Sequence, residues 1–193
     1  MSNLKVPAKA GNGHIVHITP ENAGWTYVGF DMHGLAAGET VSGVTHEREA
    51  CLVFVSGKGL ATADQTGFGE LGQRMSPFEG KPWSLYVPAG SDWSVTATTA
   101  LELAVCTAPG TRGSRPAHVI HPDLLGQETR GKGSNTRYVT NILPEVEPAD
   151  SLLVVEVITP GGNTSSYPPH KHDQINLPHA SFLEETYYYR INQ

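Results

Sequence analysis

The feature that most constrains the fold is a series of short apolar stretches separated by turns that contain glycine or proline. No window carries a sustained helical apolar period, so long amphipathic helices are not expected. The chain holds 21 glycines and 14 prolines, which favours many turns. Strands at short spacing with such turns predict an all-β sandwich or barrel. We expect strands at 26–32, 50–56, 83–87, 93–97, 101–106, 136–140 and 151–158, and turns at 57–59, 67–69 and 88–90.

Composition narrows the class of protein further. The formal net charge is -6 and the 193 residues contain no basic cluster, which argues against a nucleic-acid partner. No apolar run is long enough for a membrane span, so no membrane partner is expected. Residues 1–13 lack the apolar centre of a signal peptide. Cys51 and Cys106 are the two cysteines, too few for a secreted disulfide framework, so we expect buried free thiols and a cytoplasmic location.

The character of the chain changes between residues 112 and 135. This stretch is rich in proline, glycine and mixed charges, and we interpret it as a connector with one strand at 117–120. We therefore predict an N-terminal domain over 1–111, a connector over 112–135 and a C-terminal domain over 136–193.

A repeated spacing of glycine and histidine indicates two related domains. His46 follows Gly38 at the same distance at which His170 follows Gly162. Each histidine opens a polar cluster, and the spacing between the two clusters matches the length of one small β-domain. A duplicated β-domain explains this pattern economically.

The second copy contains a candidate metal site. His170 and His172 are two residues apart, so on a strand both side chains point to the same face. Glu185 precedes an aromatic stretch, 186–189, that suits a neighbouring strand. Two imidazoles and a carboxylate form a ligand set that a divalent first-row metal accepts. A polar surface pair is the alternative interpretation of the histidines, and His179 is expected to be an exposed loop residue that could serve as a spare ligand.

A family resemblance rests on several long stretches: 135–137, 141–144, 152–157, 159–163, 165–173, 183–185 and 187–190. In them the chain resembles the cupins and, more narrowly, the 5-deoxy-glucuronate isomerase family of myo-inositol breakdown, which is related to the 4-deoxy-5-threo-hexosulose-uronate ketol-isomerases. The resemblance covers essentially the whole chain, as the first two-thirds of a bicupin. It implies an all-β cupin fold (a double-stranded β-helix or jelly roll), with a complete N-terminal cupin and an incomplete C-terminal one.

The resemblance also implies a ligand set. In the family, a divalent metal is held by residues matching His170, His172 and Glu185, and by a third histidine in a downstream Pro-x-Gly turn. Zinc, manganese, iron and nickel stay open as the ion. Because the 193 residues stop before that turn, we expect a C-terminally truncated chain with impaired activity.

The first copy departs from the same pattern. His46 is present, but Arg48 stands where the second histidine would be, and Trp93 stands where the third would be. A guanidinium cannot ligate a cation and an indole is no substitute. We expect a metal-free N-terminal cupin that packs against the C-terminal domain and forms a subunit contact.

The implied activity is an aldose–ketose isomerisation that converts 5-deoxy-glucuronate to 2-deoxy-5-keto-gluconate in myo-inositol catabolism. Glu184, a tyrosine hydroxyl such as that of Tyr187, and a residue beyond Gln193 are the candidates for the general base. Arg190 or Lys171 could pair with the substrate carboxylate. A metal-dependent cupin dioxygenase and a non-catalytic sugar-binding or structural module are the alternatives. The expected partners are a small sugar-acid substrate and further copies of the chain, as a homodimer or higher homo-oligomer.

Overall fold

The protein is described by a computed structural model that covers residues 5–165, 172, 174–176 and 181–192. Within these residues lie a single-turn helix, α1 (Pro20–Ala23), and short 3-10 turns at Pro122–Leu124 and Gly133–Asn135. The strands are β1 (Gly13–Ile18), β2 (Gly29–Leu35), β3 (Thr40–Val44), β4 (Arg48–Ser56), β5 (Gly59–Ala63), β6 (Thr66–Leu71), β7 (Trp83–Val87), β8 (Asp92–Ala97), β9 (Leu101–Pro109), β10 (His118–Ile120), β11 (Gly126–Arg130), β12 (Arg137–Leu143) and β13 (Val154–Ile158). No helix in the described ranges is long and apolar enough to cross a membrane.

The N-terminal part is a cupin jelly-roll barrel made of two antiparallel sheets. A six-stranded sheet has the order β1-β2-β9-β4-β7-β10, and a four-stranded sheet has the order β3-β8-β5-β6. The barrel core between them includes Leu52, Phe54, Leu85, Val95 and Leu103. The predicted all-β cupin fold is confirmed.

The six-stranded sheet is covered on both faces. Along β4, Leu52 and Phe54 point into the barrel, whereas Cys51, Val53 and Val55 point to the opposite face. Successive side chains of a strand alternate between faces, so a strand buried on both sides needs apolar residues throughout. This is why residues 50–55 form a nearly continuous apolar run.

The C-terminal part begins as a three-stranded sheet of order β11-β12-β13. Its Ile142 and Leu143, together with the nearby Leu152, pack on the outer face of the six-stranded sheet. A bidentate ion pair also joins the N-terminal and C-terminal parts. The Nη1 and Nη2 atoms of Arg74 donate to the two carboxylate oxygens of Glu156, at 2.9 and 2.5 Å. The two parts therefore share one apolar layer and a largely buried ion pair.

The strands predicted at 26–32, 50–56, 83–87, 93–97, 101–106, 136–140 and 151–158 overlap strands of the structure, whereas the one predicted at 186–189 is absent from the described residues and several others were missed. β10 lies in the predicted connector and pairs with β7, as expected for 117–120. β11 also lies there, and it was missed because all five of its residues are exposed and polar or glycine. The turn predicted at 67–69 is wrong: it lies within β6, a sheet-edge strand whose pairing with β5 tolerates glycine. The predicted domain limits, 1–111, 112–135 and 136–193, stay a prediction.

The two cysteines face each other across β4 and β9, where Cys51 pairs with Cys106. Both are free thiols, as predicted, with Cys51 buried and Cys106 half-buried. Burial of the sulfur raises the pKa of the Cys106 thiol to about 12. A thiol with so high a pKa is a poor nucleophile near neutral pH, so neither cysteine is a candidate for catalysis.

Candidate metal centre and its anchors

The candidate centre includes an extended segment, residues 181–192. Its exposure alternates: Glu184, Thr186 and Tyr188 are half-buried, whereas Glu185 and Tyr187 are exposed. The strand predicted at 186–189 is not paired with any strand among the described residues. Side-chain contacts to the N-terminal barrel hold the segment in place of a backbone ladder.

The structure brings His172 and Glu185 together. The Nε2 atom of His172 lies 3.4 Å from the Oε1 atom of Glu185. On the other side of the ring, Nδ1 lies 3.3 Å from the carbonyl oxygen of Ser181. A histidine that binds a metal through one nitrogen usually bonds a carbonyl or carboxylate through the other, and His172 has this arrangement. Three predicted residues lie outside the described residues: the third ligand, His170, with Lys171 and His179.

Tyr187 holds the second carboxylate oxygen of Glu185. Its hydroxyl donates to Oε2 at 2.8 Å, which leaves Oε1 facing His172. Burial and this hydrogen bond raise the pKa of Tyr187 to about 12. The ring of Tyr189 stacks against that of Tyr187 with centroids 6.1 Å apart. Glu185 and the two tyrosines thus share one face of the segment, as residues two apart do in an extended chain.

Glu184 points to the opposite face and is fully engaged. Its carboxylate accepts hydrogen bonds from the backbone N–H groups of Thr26, Tyr27 and Val28, at 2.8, 2.6 and 3.0 Å. Burial opposes its ionisation, but these donors and the charge of Arg48 prevail and lower the pKa of Glu184. A carboxylate held in this way is a weak base, so the placement speaks against the predicted role as general base.

Arg190 lies on the same side as Glu184 and is also engaged. Its Nη1 atom donates to both carboxylate oxygens of Glu102 on β9. These hydrogen bonds raise the pKa of Arg190 further above its ordinary value. Tyr188 adds a ring contact with Phe30, with centroids 5.9 Å apart. The guanidinium therefore faces the N-terminal barrel rather than the Glu185 face, where a substrate carboxylate was predicted.

In the first copy, the residues at the expected ligand positions have structural roles. Nη2 of Arg48 donates to the carbonyl oxygen of Tyr27 at 2.5 Å, and Nε donates to the hydroxyl of Thr107 at 3.1 Å. Trp93 is buried in the barrel core. Arg48 thus fixes the same turn that Glu184 binds from the other part of the chain.

A group of polar residues lies at the mouth of the N-terminal barrel, and sequence reasoning missed three of them: His14, Asp31 and His33. A cavity of about 230 Å³ is lined there by a set that includes His14, Asp31, His33, His46 and Arg48. Burial, together with the nearby His14, lowers the pKa of His33 to about 4, so this imidazole is neutral near pH 7. The sequence offers two weak signals, the histidine pair at 14 and 17 and the Asp-x-His at 31–33, and neither is specific alone.

The fold and this geometry define a cupin that carries a candidate metal centre beside its N-terminal barrel. The KduI/IolB family model matches residues 3–193, so the chain belongs to the KduI/IolB family.

Similar proteins cover the whole chain. It is 53% identical over 195 residues to the 5-deoxy-glucuronate isomerase of Geobacillus kaustophilus, a match that covers 100% of this chain and 70% of that protein. The Geobacillus thermodenitrificans protein of the same name is 54% identical, with 100% and 71% covered. The crystal structure of an IolB-like protein from Salmonella typhimurium matches with a TM-score of 0.90 and 49% identity, covering 94% of this chain and 69% of that one.

Proposed function

We propose that this protein is a 5-deoxy-glucuronate isomerase, which converts that aldose to the ketose 2-deoxy-5-keto-gluconate. Relatives with this name share more than half of their aligned residues with the chain. The observation that carries the proposal is the pair formed by His172 and Glu185, with 3.4 Å between ring nitrogen and carboxylate oxygen.

The proposal includes a divalent metal held by His170, His172 and Glu185. The described residues fit such an ion in two respects. One nitrogen of His172 faces Glu185 while the other faces a carbonyl oxygen. Glu185 keeps one oxygen toward His172 while Tyr187 binds the other. Both ligands are thus oriented by outer partners, as ligands in metal sites commonly are.

When bound, the metal would act as a Lewis acid toward the carbonyl and neighbouring hydroxyl oxygens of the sugar acid. The reaction moves a proton between adjacent carbons, so a nearby side chain must hold and return it. We assign the return of the proton to Tyr187, because its hydroxyl lies on the Glu185 face and keeps its proton near pH 7, which makes it a donor rather than a base. Glu184 and Arg190 are assigned to positioning, since both are engaged with the N-terminal barrel.

The test combines metal analysis with turnover. The chain is loaded with zinc, manganese, iron or nickel in turn, and conversion of 5-deoxy-glucuronate is followed by NMR. Loss of an outer partner alone typically costs about 10- to 100-fold in affinity or activity. His172→Ala and Glu185→Gln are therefore expected to cost at least that much, and Tyr187→Phe about that much. Glu147→Gln, a change at an exposed glutamate, is the matched control and should leave both readouts unchanged.

Two results would contradict the proposal. If metal content and turnover are unchanged in Glu185→Gln, Glu185 is not a ligand of a metal that the reaction needs. Oxygen uptake without isomerised product would favour the cupin dioxygenase instead. The homodimer or higher homo-oligomer stays a prediction, which light scattering on the purified chain can test.

A further inference from the structure

We propose that the N-terminal barrel carries its own divalent-metal site, formed by His14, His17 and Asp31 at its mouth. These residues lie on β1 and β2, outside the His172 and Glu185 centre. The inference does not depend on the proposed isomerase function. It revises the expectation that the N-terminal cupin is metal-free, since that expectation rested only on positions 48 and 93.

A β-bulge gathers the ligands. Residues 14 and 17 are an odd number of positions apart, so in a regular strand their side chains would point to opposite faces. In β1 the register places His14 opposite His33 and His17 opposite Asp31, with Ile15 as the extra residue. A bulge re-aims the side chains on either side of it. Both histidines therefore lie on the face of the sheet that carries Asp31.

The distances fit a metal after small side-chain movements. Oδ1 of Asp31 lies 2.6 Å from Nδ1 of His17 and 3.2 Å from Nε2 of His14. All three ligand atoms lie within 4.8 Å of one another. In a tetrahedral zinc site with bonds of about 2.0–2.1 Å, ligand atoms are about 3.3–3.4 Å apart. The side chain of His17 is 52% exposed, so it can move to close the widest separation.

The surroundings support a built site rather than scattered surface residues. The ring of His33 stacks on that of His14, with centroids 4.2 Å apart and planes 23° apart, and this fixes one ligand from the cavity side. The cavity beside it leaves room for water or a small ligand. Two imidazoles, one carboxylate and an open position match sites that bind zinc and keep an exchangeable ligand.

A competing account needs no metal. A carboxylate between two imidazoles is also stable as an ion pair when a histidine is protonated, and it would then have only the ordinary affinity of surface groups for zinc. The test must therefore measure stoichiometric binding at a defined place.

The experiment uses the untagged chain in a His172→Ala/Glu185→Gln background, which disables the other centre. Isothermal titration with Zn²⁺ should show about one ion per chain, and Co²⁺ should give the visible absorption of a low-coordinate site. Adding His14→Ala/His17→Ala is expected to weaken zinc binding at least about tenfold and to abolish that absorption, because two of three ligands are lost. The matched control, His121→Ala, changes a histidine elsewhere on the surface.

Asp31→Asn distinguishes loss of a ligand from misfolding, because it removes the charge of one ligand but keeps the size of the side chain. It should weaken zinc binding while the circular dichroism and unfolding temperature of the metal-free protein stay close to those of the parent. The proposal is overturned if the background binds no zinc at micromolar concentration, or if zinc binding survives the change of both histidines.

Discussion

Two glutamates, Glu49 and Glu184, each connect the N-terminal and C-terminal parts of the molecule through hydrogen bonds from backbone amides. They differ in how deeply the carboxylate is buried. Glu49, on β4, is fully buried and accepts hydrogen bonds from the backbone N–H groups of residues 150–152, at 2.6–2.7 Å. Glu184 is half-buried and accepts from the N–H groups of residues 26–28, at 2.6–3.0 Å. In both cases one carboxylate binds three consecutive amides that are remote in sequence.

The difference in depth decides what each contact stabilises. Glu49 also accepts from the hydroxyl of Tyr86, at 2.7 Å, in a place that water does not reach. Without it, buried donors would lose their partner. Water can replace much of what Glu184 provides. Glu49 therefore stabilises the buried layer between the two parts. Glu184 instead holds the segment 181–192 on the surface of the N-terminal barrel.

Both carboxylates lie next to positions of the metal-binding pattern. Glu49 follows Arg48, which replaces a ligand in the first copy, and Glu184 directly precedes the proposed ligand Glu185. Fixing Glu184 against residues 26–28 thus limits where Glu185 can be. The N-terminal barrel contributes to the C-terminal centre by holding the neighbour of a ligand.

The largest expected effect comes from Glu49→Ala. It leaves the buried amide of Leu152 and the buried hydroxyl of Tyr86 without a partner and removes the acceptor of two partly buried amides, so the free energy of unfolding should fall by about 3 kcal/mol or more. Urea denaturation measures this change. The control is Glu47→Ala, since the side chain of Glu47 forms an exposed pair with Arg112 that should contribute less than about 1 kcal/mol. Equal losses in the two variants would contradict the distinction.

Glu184→Ala should have an intermediate effect, about 1–2 kcal/mol, because its amide donors gain water when the carboxylate is lost. The change should be local. Hydrogen exchange is expected to accelerate at the amides of Thr26, Tyr27 and Val28, and zinc affinity at the Glu185 centre should fall in parallel. Unchanged exchange at these amides would show that Glu184 does not hold the turn.

The smallest effect is expected at Asp150, beside the Glu49 contact. The backbone N–H of Thr111, with Ser114 and Arg115, lowers the pKa of Asp150 below its ordinary 3.8. The folded state thus favours the carboxylate, so its contribution is present above about pH 3.8 and disappears as the pH falls through the lower, folded value. The stability difference between the protein and Asp150→Asn, measured by urea denaturation from pH 6 to 3, should shrink at the acid end. A constant difference would contradict this origin.

Much of the fold could be predicted because apolar periodicity is local. The stretch 83–87 matches β7, and the apolar run at 50–56 lies within β4. Strands without an apolar pattern, such as β11, gave no signal. The bulge in β1 could not be predicted, since it depends on the register with β2.

The candidate site was predictable only in part. Two sequence features indicated residues that the structure brings together. His172 lies two residues after His170, and Glu185 directly precedes an aromatic stretch. The engagement of Glu184 and Arg190 could not be predicted, because their partners lie on the N-terminal barrel, at positions 26–28 and at Glu102. A side chain can be assigned to chemistry from sequence only when its competing partners are also known.

The apolar layer outside the six-stranded sheet has a consequence for synthesis on the ribosome. The sheet is complete once Ile120 has emerged, yet Leu152, which helps to cover its outer face, follows about thirty residues later. At about 5–20 residues per second, that face stays uncovered for about 2–6 s. In that interval the nascent barrel exposes a surface that other chains can bind, so slow translation between these points would favour aggregation.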